Sequence, residues 1–518
     1  MKQLKIFDTL LRDGCQSADV NLSIQDKIEL AKSMDGFGID YIELGWPAAN
    51  KKEMETFHEA AKLSLNHATI VAFGSTRKKD ILAAEDSNLQ GIVKSKARVA
   101  CIFGKTWKDH IEKQLSTTPE KNLEAIRESI VFLKSEGLEV FYDLEHFFDG
   151  YKDDKKYALE CIEAAAIAGA SYIIPCDTNG GTLPVEVKTI LREVFAYLRA
   201  KNLEVKLGAH FHNDSGLGVA NSLVAIEEGV EMIQGTINGL GERTGNADLC
   251  QILPNLLLKM KTELPEIQLA NLTALSEKVD TLANLKQDPK RPFLGKNAFS
   301  HKGGIHVDAI NKGASYEHID PAKVGNKRDI VLSDLGGKAN ILEVLKKFGV
   351  TVEKHDPKVK EMLTLVEEME KQGYGMGTLP AEQYLLKERL EMNASPLEIQ
   401  SWEIRSEEGD IGYAECSINA RVNGKEKAAS SHVSGGPIDA AFQTMNELAF
   451  PLLKSPIQLT NFKVAIVKDP SEKSAVRVYV EFSYRGETFG TVGVSANILK
   501  ASIEAIEKGF NFCLLTAN

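Results

Sequence analysis

Two histidines separated by one residue, His210 and His212, end a stretch in which apolar Leu203, Val205 and Leu207 alternate with charged Glu204 and Lys206. Such alternation predicts a strand. Successive strand side chains point to opposite faces, so the two imidazoles share one face. They can ligate one divalent metal, or they can be satisfied histidines at a strand end. Two other polar runs carry matching chemistry: residues 8–16, with Arg12 and Asp13, and residues 236–247, with Asn238 and Asn246. One carboxylate from Asp13, two imidazoles and an amide oxygen from Asn246 or Asn238 make a mixed nitrogen–oxygen donor set with open positions. That set suits Mg²⁺, Mn²⁺, Co²⁺ or Zn²⁺ acting as a Lewis acid on a carbonyl oxygen. Arg12 cannot deprotonate, so it can hold an oxyanion or form a plain salt bridge. Glu145 and Asp177 are candidate acid–base or supporting groups. Glu43 is a candidate to hydrogen-bond substrate, or to pair with a neighbouring cation.

A fold that gathers these residues must place strand ends together. Strand-like runs fall at 4–8, 41–44, 69–73, 97–103, 138–144, 172–175, 205–210 and 232–236. Amphipathic, helix-length segments such as 23–38, 119–136, 157–169, 184–200 and 215–229 alternate with them. Ser23 and Thr118-Pro119 open helices, and Gly38, Gly137, Gly169 and Gly229 close them. Eight strand–helix units predict an α/β fold of the (β/α)8 TIM-barrel type. An open doubly wound sheet is the alternative, but no GxGxxG follows the first strand. In a barrel, the polar runs after strands one, two, five, six, seven and eight all fall on one rim.

A chain of 518 residues exceeds one core, so two or three domains are expected. The net charge of -11 argues against a nucleic-acid or anionic-membrane partner. Seven cysteines without a CxxC pair read as reduced thiols. There is no signal-peptide pattern and no membrane-length apolar run, so a cytoplasmic location is expected. We expect a barrel over 1–268, a partly helical linker region over 269–395 and a C-terminal domain over 396–518. The linker carries charge-rich helices at 355–373 and 381–392 and a helix from Lys338 to Phe348. The last part repeats itself: strand patterns at 398–405, 413–422 and 427–433 precede a helix at 437–450. Strands at 458–467, 476–484 and 488–494 then precede one at 496–510. This predicts an α+β domain of duplicated βββα units.

Residues 8–16 resemble the D-T-T-L-R-D-G-x-Q opening of the 2-isopropylmalate synthase, homocitrate synthase and citramalate synthase family. Residues 210–221 resemble its H-x-H-N-D-x-G-x-x-x-A-N signature, and residues 235–247 its G-T-x-N-G-x-G-E-R-x-G-N-A loop. The resemblance extends to Gly303-Gly304-Ile305-His306-Val307-Asp308-Ala309 and over nearly the whole chain. It implies a homodimeric, metal-dependent acyltransferase that condenses acetyl-CoA with a 2-oxo acid and then hydrolyses the thioester. It implies Asp13, His210, His212 and Asn246 as metal ligands and Arg12 as the catalytic arginine. It further implies Glu145 as the strand-five glutamate, acting as the base with His306 through water, and Thr178 as a substrate-carboxylate ligand. His306 matches the linker histidine that reaches the other subunit's barrel, and Tyr316 the tyrosine that accompanies it. Leu10 stands where many members carry a second threonine, which changes the contacts available around the pocket.

Residues 103–107 and 145–150 resemble the citramalate synthase branch. Bulky Trp107, Phe147 and Phe148 are consistent with a small cavity for pyruvate, or are simply packing. The resemblance therefore implies (R)-citramalate formation from pyruvate in isoleucine biosynthesis, with isoleucine as feedback inhibitor bound by the C-terminal domain. A 2-oxoisovalerate acceptor, as in 2-isopropylmalate synthase, or a homocitrate synthase acceptor is the alternative. A metal-dependent aldolase or lyase, or a non-catalytic amino-acid sensor, is the rival of a different class.

Overall fold

Period-two alternation repeated through eight segments closes a barrel. The computed structural model describes residues 3–333, 336–375, 377–391, 394–407, 412–453, 455–467 and 475–517. Its first eight strands are β1 (Lys5–Asp8), β2 (Tyr41–Gly45), β3 (Thr69–Ser75), β4 (Val99–Lys105), β5 (Glu139–Glu145), β6 (Tyr172–Asp177), β7 (Lys206–Phe211) and β8 (Met232–Gly235). Each pairs in parallel with the next, and β1 pairs with β8 to seal the ring, Lys5 opposite Met232. Helices return the chain between strands. The Ile24–Phe37 helix starts at a Ser23–Asp26 capping box and stops at Gly38, whose φ of 102° suits glycine.

Two apolar layers follow from the alternation. The outer layer joins strand residues such as Ile6, Ile42, Val140 and Ile233 to the helices. The inner layer fills the barrel floor with Phe7, Val71, Phe141, Tyr172, Ile174 and Met232. Moving two residues along a strand from these keeps the side chain inside while raising it toward the mouth. Phe141 thus gives way to Asp143 and Glu145, Tyr41 to Glu43, and Met232 to Gln234.

The barrel's compact unit runs over Met1–Phe299 with Ile319–Lys327. It continues past residue 268 because the helix Leu272–Leu282 buries Leu272, Leu275 and Val279 in the outer layer. The second unit comprises Ser300–His318 and Arg328–Asn518. It begins with a two-stranded parallel ladder of β9 (Ser300–His301) and β10 (Asp329–Ile330). Helices Gly304–Asn311, Lys338–Lys347, Pro357–Lys371 and Pro380–Leu390 follow. Residue 392, the expected end of the last of these, lies outside the described residues.

The duplicated βββα pattern is present. Strands β11 (Leu397–Glu407), β12 (Tyr413–Val422) and β13 (Lys425–Val433) form one antiparallel sheet before the helix Pro437–Ala449. Strands β14 (Ile457–Val467), β15 (Ala475–Tyr484) and β16 (Glu487–Ser495) form a second before Ile498–Thr516. Each half carries a register shift near the start of its first strand, at Ile399/Ser401 and at Leu459/Asn461.

Candidate active site

Asp13 follows β1, and His210 and His212 lie on and just beyond β7. One ligand atom from each can be chosen so that all three lie within 4.8 Å of one another. All three residues are buried. Gln234 fixes the His210 tautomer. Its amide nitrogen donates to Asp143 Oδ1 at 3.0 Å, so its oxygen accepts from His210 Nδ1 at 2.8 Å. The His210 lone pair is then at Nε2, 3.8 Å from Asp13 Oδ2.

The loop after β8 brings in Asn246. Its backbone bridges to His212, and its side-chain amide donates to the Leu240 carbonyl. Gly245 has φ 92°, and a Cβ there would lie 1.9 Å from the Gly239 carbonyl oxygen, so only glycine permits this turn. Asn246 Oδ1, Asp13 Oδ1 and His212 Nδ1 are buried with no hydrogen-bond partner. Buried polar atoms without partners are costly. A cation bound by two carboxylate or amide oxygens and two imidazoles would satisfy them, so the donor set fits a divalent metal. Asn238, the other amide considered, is consumed elsewhere: it donates to Asp280 Oδ1 at 2.8 Å and accepts from Ser276 Oγ at 2.6 Å.

The charges are prepared for a cation. Burial alone would raise the Asp13 carboxyl, but Arg12 and the two imidazoles outweigh it and hold it at about 2. Burial, with His212 next, pushes His210 down to about 3, and burial lowers His212 as well. The site thus presents an ionised carboxylate and neutral imidazoles at neutral pH.

Arg12 is fixed from three sides. Its Nε donates to Glu43 Oε2 at 2.6 Å, Nη1 lies 3.1 Å from Asp13 Oδ2, and the guanidinium sits 3.7 Å over the Phe73 ring. Phe73 stacks on Phe103, and Trp46 meets both edge-on. Glu43 is fully buried, and its Oε1 has no partner. Glu145 Oε2 pairs with Lys105 Nζ at 2.5 Å. Thr178 Oγ1 accepts from the His146 amide at 2.8 Å. Asp177 accepts from Thr182 N and Oγ1, which gives it a structural task. Arg243 ties three strand ends together, donating to both Asp214 oxygens and to the Thr178 carbonyl. In the second unit, the His306 and Tyr316 rings stack 4.6 Å apart, and both residues are exposed.

Two aromatic expectations are corrected. Phe147 and Phe148 are fully buried in the outer layer, because the chain turns into the short helix Phe147–Asp153 after β5 and sends both rings behind the strands. Trp107 stacks on His110 and donates to Asp153. The aromatic ring beside Arg12 is instead Phe73, backed by Trp46 and Phe103. Leu10 is likewise fully buried in the outer layer. Gln234, Asp143, Lys105 and Arg243 were not singled out from the sequence. A lone glutamine inside the apolar run 232–235 was the one available signal.

Residues 3–279 match the model of the HMGL-like family. Residues 293–373 match the homocitrate synthase post-HMGL domain-like model, and residues 381–514 the LeuA allosteric (dimerisation) domain. The (R)-citramalate synthase of Sulfolobus acidocaldarius is 39% identical over 99% of this chain and 97% of its own length. That of Geobacter sulfurreducens is 40% identical over 98% and 96%. A probable 2-isopropylmalate synthase of Archaeoglobus fulgidus is 30% identical over 99% and 98%.

Proposed function

The chain belongs to the (R)-citramalate synthase family, built on an HMGL-like barrel, and from that premise we propose that it condenses acetyl-CoA with pyruvate and hydrolyses the thioester to (R)-citramalate and CoA. The observation that carries this reading is the convergence of Asp13, His210 and His212 beside the immobilised Arg12 guanidinium. Asp13, His210, His212 and Asn246 would hold a divalent cation, which would supply Lewis-acid polarisation of a keto oxygen. Arg12 orients the 2-oxo acid and stabilises the alkoxide formed at the keto carbon. Thr178 directs its hydroxyl proton at the substrate carboxylate, since its oxygen already accepts from His146. Glu43 holds Arg12 in line and offers its unpartnered oxygen to substrate.

Glu145 takes a proton from the acetyl methyl, and the resulting carbon nucleophile attacks the ketone. His306 and Tyr316, which stack on each other, act together on the barrel of a second copy, as their resemblance implies. Trp46, Phe73 and Phe103 form the wall that limits the acceptor to a small 2-oxo acid. The three-part division into catalytic barrel, linker and regulatory domain is proposed, with the helix Leu272–Leu282 beyond residue 268 belonging to the barrel. Isoleucine is the proposed inhibitor at the last of these, in line with its match to an allosteric domain.

The test is CoA release, followed with a thiol reagent in the presence of Mn²⁺ or Mg²⁺. The acceptors are pyruvate, 2-oxobutyrate, 2-oxoisovalerate, 2-oxoglutarate and glyoxylate. Preference for pyruvate, abolished by chelation, is expected. Preference for 2-oxoisovalerate would move the chain to the leucine branch of the same chemistry.

A further inference from the structure

The reaction has two halves, and the roles assigned so far serve only the first. Condensation needs a base at the acetyl methyl. Hydrolysis needs a second proton acceptor, because a water must be deprotonated as it attacks the thioester carbonyl. A second acid–base cluster lies at the end of β5, next to Glu145.

His146 is buried, at 8% exposure, yet its backbone sits in the left-handed region at φ 57°, ψ 34°. That conformation is uncommon for a residue other than glycine and persists where the surroundings enforce it. Here the Thr178 hydroxyl enforces it by accepting the His146 amide proton. His146 Nδ1 is buried without a hydrogen-bond partner, and the closest carboxylate is Asp149, with Oδ2 at 3.7 Å. Asn179 Nδ2 holds that same oxygen at 2.9 Å. The neighbouring imidazole keeps the Asp149 carboxyl below the ordinary carboxylate range, so it is ionised. The other face of the cluster is His110, whose ring centroid is 4.2 Å from that of His146 and which stacks on Trp107. Burial lowers His110, which is neutral at pH 7. A carboxylate behind an imidazole, at a strand end on the catalytic rim, is the arrangement of an oriented general base, and such contacts are often long before substrate binds.

We propose that His146, oriented by Asp149 and packed on His110, is the acid–base group of thioester hydrolysis, separate from Glu145. This rests on the citramalate synthase reading. Water oxygen attacks the thioester carbonyl of citramalyl-CoA while His146 takes one of its protons. The carbon–sulfur bond then breaks, His146 returns that proton to the departing sulfur, and the new carboxyl group loses its own proton to solvent. Citramalate and CoA thiol are the products.

The test compares full-length wild type, His146→Asn, Asp149→Asn and Glu145→Gln in single-turnover mixtures of acetyl-CoA, pyruvate and Mn²⁺, quenched and analysed by mass spectrometry. Asparagine tolerates the left-handed conformation, so His146→Asn keeps the turn while removing the imidazole. Circular dichroism checks its fold. In His146→Asn the carbon–carbon bond forms, citramalyl-CoA accumulates, and CoA release slows by about 10²-fold or more. Asp149→Asn shows the same accumulation to a smaller degree, and Glu145→Gln makes no citramalyl-CoA. Wild-type CoA release in folded His146→Asn, or loss of condensation itself in that variant, would overturn the assignment. Absence of turnover in the wild type would sink the synthase reading, and the assignment with it.

Discussion

Two asparagines on the loop after β8 have opposite surroundings. Asn238 is enclosed by Ser276, Asp280 and Cys250, and every polar atom of its amide has a partner. Arg291 completes that cluster by binding Asp280 at 2.8 Å. Asn246 spends only its nitrogen and leaves Oδ1 buried and unpartnered, beside equally unpartnered atoms of Asp13 and His212. A folded chain does not leave several buried polar atoms unpaired in one place without a use for them. The satisfied cluster is scaffold, and the unsatisfied one is the proposed metal site. Motif spacing made both asparagines candidates; only the partner count separates them.

The comparison can be broken most severely at Asp13. Asp13→Ala removes the one anionic ligand, and because Lewis-acid polarisation is worth several kcal/mol, turnover should fall by on the order of 10³-fold. Mn²⁺ binding by titration calorimetry should vanish with it. Exchanging the two asparagines sharpens the contrast. Asn246→Ala should weaken Mn²⁺ binding by up to ~100-fold while hardly moving the melting temperature of the metal-free protein. Asn238→Ala should do the reverse, costing about 2 kcal/mol in denaturant unfolding with Mn²⁺ affinity unchanged. If both variants lost metal and stability alike, the division would be wrong.

Gln234→Leu tests the layer behind the ligands. With His210 free to flip tautomer, Mn²⁺ affinity should drop by ~10-fold. The smallest effect is that of pH on the metal-free protein. The folded state holds His210 near 3, below its ordinary value of 6.5, so unfolding takes up a proton once the pH falls below 6.5. Stability should therefore decline by about 1 kcal/mol from pH 7 to 5.5 through this residue. The decline should be shallower in His210→Gln, read as unfolding midpoints across that range.

The barrel was legible because each of its eight strands is short, apolar and followed by a helix-length amphipathic run, and such periodicities survive without tertiary information. The convergence of Asp13, His210 and His212 was legible because the two histidines are two apart on a strand and Asp13 lies in a distinctive run. What failed was side-chain direction beyond a strand's end. Phe147 and Phe148 read as pocket residues, but one helical turn after β5 carried them into the outer layer. Phe73, which does face Arg12, and Trp46 and Phe103, which pack on it, come from different strands or strand ends and share no local pattern. Asp143 and Gln234 were hidden for the same reason: their partnership exists only across the barrel interior.

Sealing the ring places Lys5 against Met232, and that pairing is what brings Asp13 to His210 and His212. The three residues come from near opposite ends of the barrel's stretch of chain, so their meeting requires a loop closure over much of the domain. A chain emerging from the ribosome has Asp13 long before it has either histidine. It cannot assemble this donor set until its last strand is in place. The site is a product of barrel closure and cannot serve as its template, and cation affinity during refolding should appear only in the slowest phase.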